Sequence, residues 1–334
     1  MKVFVNGKFL CQKITGVQRF AIELIREMDK IVLNEYEITI VCPSKEEQLN
    51  DLELSNIKIV YTKGKPNYFW EQWTLPRFCK KHKPDVFLNM CNVAPILYPG
   101  SCVIHDLGCI DASKGFSFKQ NMVYRLINKL NVKRYKHIFT VSKVMKARIE
   151  EYYKVDNVEV IYNSADHIKR IKPSKPAIDL NGHYYFSLGS MNPNKNFKAI
   201  IRIALENKDK TFYISGKKGK SFSEENLTCP DNVIFTGYLS DEEIVYMYNH
   251  CDAFLFPSKY EGFGIPPLEA LVSGCRLVIC NDIPVLREIY NGSCVFVDFD
   301  TITKLDDISK MPSNFIDDKH WKDSAEKLFS TLIK

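Results

Sequence analysis

Glu261 and Glu269 stand eight residues apart, with Gly262-Phe263-Gly264-Ile265 and Pro266-Pro267 between them. The two glycines remove side chains where backbone amides would face a ligand, and amides at the positive end of a helix are a common way to hold phosphate. A carboxylate beside a bound anion is unfavourable unless it has another partner. Sugar hydroxyls are such a partner, because an ionised carboxylate only accepts hydrogen bonds. The pattern therefore predicts one glutamate on a ribose diol and the other on a second sugar.

The elements that must position these residues are readable on either side. Ala253-Phe254-Leu255-Phe256 is an apolar run of buried-strand type, stopped by Pro257. Pro266-Pro267 opens a helix that carries Glu269 in its first turn, where a missing amide hydrogen costs nothing. Gly274 closes that helix, and Leu277-Val278-Ile279-Cys280 is the next strand.

The stretch Pro257-Ser258-x-Tyr260-Glu261-Gly262-Phe263-Gly264-x-Pro266-Pro267-Leu268-Glu269-Ala270 closely resembles the Glu-x7-Glu segment of the retaining glycosyltransferases of family 4, of the bacterial surface-polysaccharide type. The resemblance implies an α/β chain of GT-B fold, with two Rossmann-like domains facing across a cleft and a C-terminal helix crossing back to the first. It implies transfer of a hexose from a nucleotide-diphosphate sugar, of the GDP-mannose, dTDP-rhamnose or UDP-hexose type. The acceptor would be an oligosaccharide or a lipid-linked saccharide, in O-antigen, capsule or similar assembly. The anomeric configuration would be kept, with no cofactor and no metal.

Site residues follow from the same likeness. Glu261 would hold donor hydroxyls, Glu269 the ribose, and the amides of Phe263 and Gly264, with Gly262 and Ile265 beside them, the diphosphate. His105, at the end of the strand Cys102-Val103-Ile104 and flanked by Asp106, would lie against the donor sugar. Gly16 and Arg19, in Gly-Val-Gln-Arg, match the family's glycine-rich loop. In Gly189-Ser190-Met191-Asn192-Pro193-Asn194-Lys195-Asn196 the family's Lys is kept as Lys195, whereas Asn194 stands where an Arg is expected. Ser190 belongs to this donor-side loop, and Arg19 or Lys217 could supply the missing cation. Tyr238 and Leu239 match positions that contact the nucleotide base largely through backbone. At Asn163-Ser164-Ala165-Asp166 the family has Asn-Gly-x-Asp, so Ser164 alters that turn.

The rest of the chain alternates strand and helix, which favours two domains over its 334 residues. The expected division is a first domain at 1–168, a linker at 169–181, a donor domain at 182–315 and a terminal helix at 316–334. Thr15 is a candidate cap for the first helix, and Trp70 to Pro76 reads as an aromatic core segment. Trp321, Ala325, Leu328 and Leu332 give the last helix one apolar face. The apolar share of 45% and charged share of 26% are those of globular proteins. No run is long and apolar enough to cross a bilayer, and Met1 to Asn6 starts a strand instead of a secretory signal, so a cytoplasmic setting is expected.

Eleven cysteines without a Cys-x-x-Cys pair read as reduced, buried thiols. Cys102, His105 and Cys109 lack a fourth ligand for zinc. A formal charge of +6 does not imply nucleic acid, but it suits a diphosphate or an anionic membrane surface. From Phe116 to His137, aromatics mix with Lys119, Arg125, Lys129, Lys133, Arg134 and Lys136, a helix face that could rest on acidic headgroups.

Three other readings compete. Gly262 to Pro267 imitates a nicotinamide fingerprint with Asp282 downstream, yet Pro267 replaces the third glycine and five residues separate strand from glycine. Asp298-Phe299-Asp300 suggests a metal-dependent transferase, though an Asp there is expected to cap the following helix. A non-catalytic, sugar-nucleotide-binding partner subunit is supported by Asn194 alone.

Overall fold

The computed structural model describes residues 1–32, 35–112, 118–180, 182–216, 229–305, 315 and 317–334, with backbone alone for 118–120. Lys217 and the basic turn that follows it lie outside the described residues, as does Phe116. The chain forms two compact units, Met1–Asn163 with Lys319–Lys334, and Ser164–Asp318.

The first unit runs β1 (Lys2–Asn6), α1 (Gly16–Ile31), β2 (Glu37–Cys42), β3 (Lys58–Tyr61), α2 (Leu75–His82), β4 (Val86–Asn89), β5 (Ser101–Val103), α3 (Gly108–Asp111), α4 (Phe118–Asn131), β6 (Ile138–Thr140), α5 (Lys143–Tyr153) and β7 (Val158–Val160). In the second unit come β8 (Tyr184–Leu188), α6 (Phe197–Glu206), β9 (Thr211–Ser215), β10 (Val233–Gly237), α7 (Asp241–His250), β11 (Ala253–Phe256), α8 (Ile265–Val272), β12 (Val278–Asn281), α9 (Pro284–Tyr290) and β13 (Val295–Val297). The last helix, α10 (Trp321–Leu332), returns to the first unit.

Every pairing is parallel. The strand orders are β3-β2-β1-β4-β5-β6-β7 and β10-β9-β8-β11-β12-β13. Parallel strands with helices on both faces are buried on both sides, which is why β4, β8 and β11 read as nearly unbroken apolar runs. Each order reverses once, between β1 and β4 and between β8 and β11, and the loops leaving such strands open a crevice beyond their carboxyl ends.

Sequence explains the helices locally. Thr15 caps α1, its amide donating to Gln18 Oε1 at 3.2 Å, and Phe20, Leu24, Ile25 and Met28 turn inward. Trp321, Ala325, Leu328 and Leu332 of α10 are all buried, with the Trp321 ring 6.1 Å from Phe20 and Phe329 5.0 Å from Tyr36. Burying a side chain of this size is worth roughly 1.5–3 kcal/mol, which fastens α10 to α1.

Trp70–Thr74 is one turn of π-helix leading into α2. It delivers Glu71 to the reversal point of the first sheet, where Asn6 Nδ2 donates to Glu71 Oε1 at 3.0 Å and to Asn89 Oδ1 at 3.2 Å. Lys8 Nζ reaches Glu71 Oε2 at 2.7 Å. One expectation is corrected: Asp298 caps no helix among the described residues. Its Oδ1 accepts from the Asp300 amide at 2.9 Å, closing a side-chain turn directly after β13.

Candidate functional site

In the second unit the loops leaving β8 and β11 meet at the reversal of strand order. Lys195, from the first, and Glu261, from the second, form an ion pair at 2.5 Å, and the Lys195 ammonium lies 5.5 Å from the Phe256 ring centroid. Both side chains keep partial solvent access, 24% and 12%. The loops are also joined through main chain, since the Asn194 carbonyl accepts from the Lys259 amide at 2.8 Å and from Ser258 Oγ at 3.2 Å. Asn192 Oδ1 accepts from the Asn194 amide at 2.9 Å, and Asn281 holds the Ser258 carbonyl. Among the neighbouring cations, Lys259 pairs with Asp300 at 2.7 Å and Arg287 with Asp282 at 2.7 Å.

Gly264 has φ +84°, and a Cβ there would stand 2.8 Å from Leu286 Cδ2. The Tyr290 hydroxyl donates to the Gly264 carbonyl, and Phe263 is buried edge-on to the same ring at 6.4 Å. Glycine at 264 thus serves the bend and its packing as well as access to the backbone. Ile265 opens α8, with Pro266 and Pro267 in its first turn as expected.

Glu269 is the fifth residue of α8, one residue further along the helix than the sequence suggests and just past its first turn, because the helix starts at Ile265. Its Oε1 lies 3.0 Å from His167 Nε2, and its Oε2 accepts from the Tyr248 hydroxyl at 3.3 Å. Neither partner was foreseen. His167 directly follows the Asn-Ser-Ala-Asp stretch, a position that could have drawn notice, whereas Tyr248 on the buried face of α7 is indistinguishable from core by sequence. Gly262, Glu261 and Lys195 share the loop mouth, Ser190 is exposed, Tyr238 beyond β10 is 78% exposed, and Leu239 is buried. The stretch at 169–180 packs on this unit, with the Ser174 amide donating to the Glu242 carbonyl and the Asp179 carbonyl accepting from the Tyr213 hydroxyl.

In the first unit His105 follows β5 and is buried. Its Nε2 donates to the Met90 carbonyl at 2.7 Å, its amide donates to Asn92 Oδ1 at 2.6 Å, and the Phe20 ring stands edge-on at 4.8 Å. A carbonyl only accepts, so Nε2 carries the proton and Nδ1 is the basic nitrogen. Burial pulls the imidazole pKa down to about 4, so the ring is neutral at neutral pH. Asp106 accepts from the Gly108 amide at 2.7 Å and turns the chain into α3.

Gly16 is exposed at the start of α1, and Phe20 links that helix to His105. Arg19 lies over Glu23 at 4.0 Å, and Glu23 also takes Arg26 at 2.8 Å. Burial raises the Cys102 thiol and pushes Cys109 up to about 11, so both rest as neutral thiols at neutral pH.

The family profile described as glycosyl transferases group 1 matches residues 168–305, and that described as glycosyltransferase family 4 matches residues 14–168. The chain is 30% identical over 214 residues to the O-antigen chain mannosyltransferase RfbU of Salmonella typhimurium, covering 62% of this chain and 58% of that protein. It is 24% identical over 324 residues to the serotype-specific mannosyltransferase WbdA of Escherichia coli, covering 84% of this chain and 37% of that one. The matched region thus spans less than two thirds of the length of either relative. Among solved structures, sucrose-phosphate synthase from Thermosynechococcus elongatus superposes with a TM-score of 0.64 at 12% identity, covering 99% of this chain and 90% of that one. HepE from Anabaena, solved with UDP and glucose, superposes at 0.62 and 16%, covering 89% and 86%. These likenesses show the fold.

Proposed function

Because the chain belongs to the glycosyltransferases of group 1 and family 4, we propose that it moves a hexose from a nucleotide-diphosphate sugar to a growing saccharide and keeps the anomeric configuration. The observation that carries this reading is the Lys195–Glu261 pair across two loops at the reversal of a parallel sheet. It sets a cation and a hydroxyl acceptor side by side, which is what a sugar diphosphate needs.

In this scheme the bond from the anomeric carbon to the diphosphate oxygen breaks, with its electron pair leaving on the diphosphate. The acceptor oxygen bonds to the same carbon from the same face, and its proton passes to a diphosphate oxygen. Lys195 and the amides of Phe263 and Gly264 stabilise the leaving charge, Glu261 receives donor hydroxyls, and Glu269 receives those of the ribose. The family resemblance assigns His105 to the reacting centre, a role in which a neutral ring would add no repulsion to a carbon gaining positive charge. The same resemblance assigns Gly16 and Arg19 to a loop close to donor phosphate and acceptor, Asp106 to the flank of His105, Ser190, Asn194 and Ile265 to the diphosphate, and Tyr238 and Leu239 to the base. Fixed protein charges do the work a divalent ion does in other transferases, so a chelator is expected to leave turnover unchanged.

The donor is proposed to be of the GDP-mannose, dTDP-rhamnose or UDP-hexose type, and the setting the cytoplasmic assembly of a surface polysaccharide. RfbU and WbdA are by name mannosyltransferases, the first acting on O-antigen chains. Contact with an anionic membrane surface is part of the reading. From Ala112 to Ile149 the sequence has ten Lys or Arg and no Asp or Glu. Met122, Leu126 and Leu130, spaced one turn apart on α4, are each about half exposed.

A thermal-shift screen of GDP-, UDP- and dTDP-sugars, followed by transfer to a lipid-linked acceptor with the product's anomeric configuration read by NMR, tests the proposal. One donor should raise the melting point and give a retained linkage. Binding without transfer, or an inverted product, would overturn it.

A further inference from the structure

We infer that His167 and Tyr248 are positioning residues that hold the Glu269 carboxylate in one orientation, and that this fixed carboxylate makes the site select a ribonucleoside over a 2′-deoxyribonucleoside in the donor. The inference rests on the assignment of Glu269 to the ribose given above.

His167 lies in a short 3-10 turn, Asp166–Arg170, and is 2% exposed. Tyr248 is fully buried, with its ring edge-on to Phe254 at 5.0 Å and to Phe186 at 5.6 Å. Their donor atoms reach different oxygens of Glu269, at 3.0 and 3.3 Å, from two different elements. A carboxylate cannot donate, so His167 Nε2 and the Tyr248 hydroxyl must each present a hydrogen, whatever the charge on the imidazole. Burial, and next the neighbouring Glu269 charge, hold the Tyr248 phenol well above its ordinary pKa, so it stays a donor.

A glutamate on a helix surface is otherwise rotationally free. Here both oxygens are tied to groups locked by packing, while the side chain keeps 14% exposure. A carboxylate offers about four lone-pair directions, and two fixed donors decide where the others point. That arrangement suits a vicinal diol, which brings two hydroxyls at a fixed separation. It is wasted on a sugar that has lost one, because the acceptor lone pair is then left unpaired. Among the donor types above, the deoxythymidine-linked one should rank below the uridine- and guanosine-linked ones.

Isothermal titration of the whole chain with UDP, dUDP, GDP and dGDP tests this. For the base that binds more tightly, wild type should prefer the ribonucleotide by about tenfold or more. Glu269→Ala should abolish the preference. Tyr248→Phe and His167→Ala should each weaken the ribonucleotide several-fold while leaving the deoxyribonucleotide unchanged, and His167→Gln, which keeps a donor, should recover much of the loss. If Glu269→Ala leaves the ribose preference intact, the assignment of Glu269 itself fails. If Glu269→Ala removes it but His167→Ala and Tyr248→Phe do not, or if those two weaken both nucleotides equally, the positioning role is overturned. Tyr248→Phe, which keeps ring and packing, answers the question even where His167→Ala does not fold.

Discussion

Each sheet places a lysine–glutamate pair at the point where its strand order reverses, and the two pairs differ in how far water reaches them. Lys8 and Glu71 in the first unit are 14% and 2% exposed, and Glu71 is further tied through Asn6 to Asn89. Lys195 and Glu261 in the second are 24% and 12% exposed and hang from loops. A desolvated pair costs several kcal/mol to break, because the survivor is left charged and uncompensated. A pair that water can reach exchanges partners cheaply. The same chemistry thus reads as architecture in one unit and as a site in the other.

The largest effect should separate the two glutamates. Glu71→Ala is expected to lower unfolding stability by about 3–5 kcal/mol, measured by urea titration. Glu261→Ala should cost less than about 1 kcal/mol by the same measurement. Equal losses would erase the distinction between the two pairs. Next, Lys195→Ala should leave the urea midpoint near wild type and lower kcat by about 10²–10³, read by product formation at saturating donor.

Acid titration gives a third and smaller test, in the buried half of the comparison. His105 has a native pKa of about 4, below its ordinary value, so between those two pH values the unfolded chain binds a proton that the folded chain refuses. Stability should therefore fall as pH drops from about 6.5 towards 4, with a slope from this residue of at most about 1.4 kcal/mol per pH unit. Replacing His105 by Gln should flatten that slope, and an unchanged slope would argue that the ring titrates normally. The smallest effect is expected on the surface of the first unit. Lys129→Glu with Lys133→Glu should weaken sedimentation with phosphatidylglycerol vesicles, by about 1 kcal/mol per charge removed, without moving the urea midpoint or the binding of neutral vesicles.

What could be read from sequence follows the same division. The strands and the Glu-x7-Glu segment were legible because parallel strands are apolar throughout and because a bend with φ +84° needs glycine at 264. The apolar face of α10 was legible from its spacing. His167, Tyr248 and Glu71 were not, since each acts across a long sequence separation on a partner that its own surroundings in the chain do not reveal. A start at Ile265 moved Glu269 out of the first turn, a shift no composition rule supplies. Asp298 was assigned to a helix cap and instead closes a local turn, two uses of an Asp side chain that look alike in sequence.

The staple between the loops leaving β8 and β11 has an evolutionary side. It uses the carbonyl of Asn194, a group every amino acid carries, and so places no demand on which side chain stands at that position. Relatives could gain or shed a cation there without loosening the mouth. Asn194→Arg should therefore be tolerated by the fold, and under the proposed scheme it would speed departure of the leaving group.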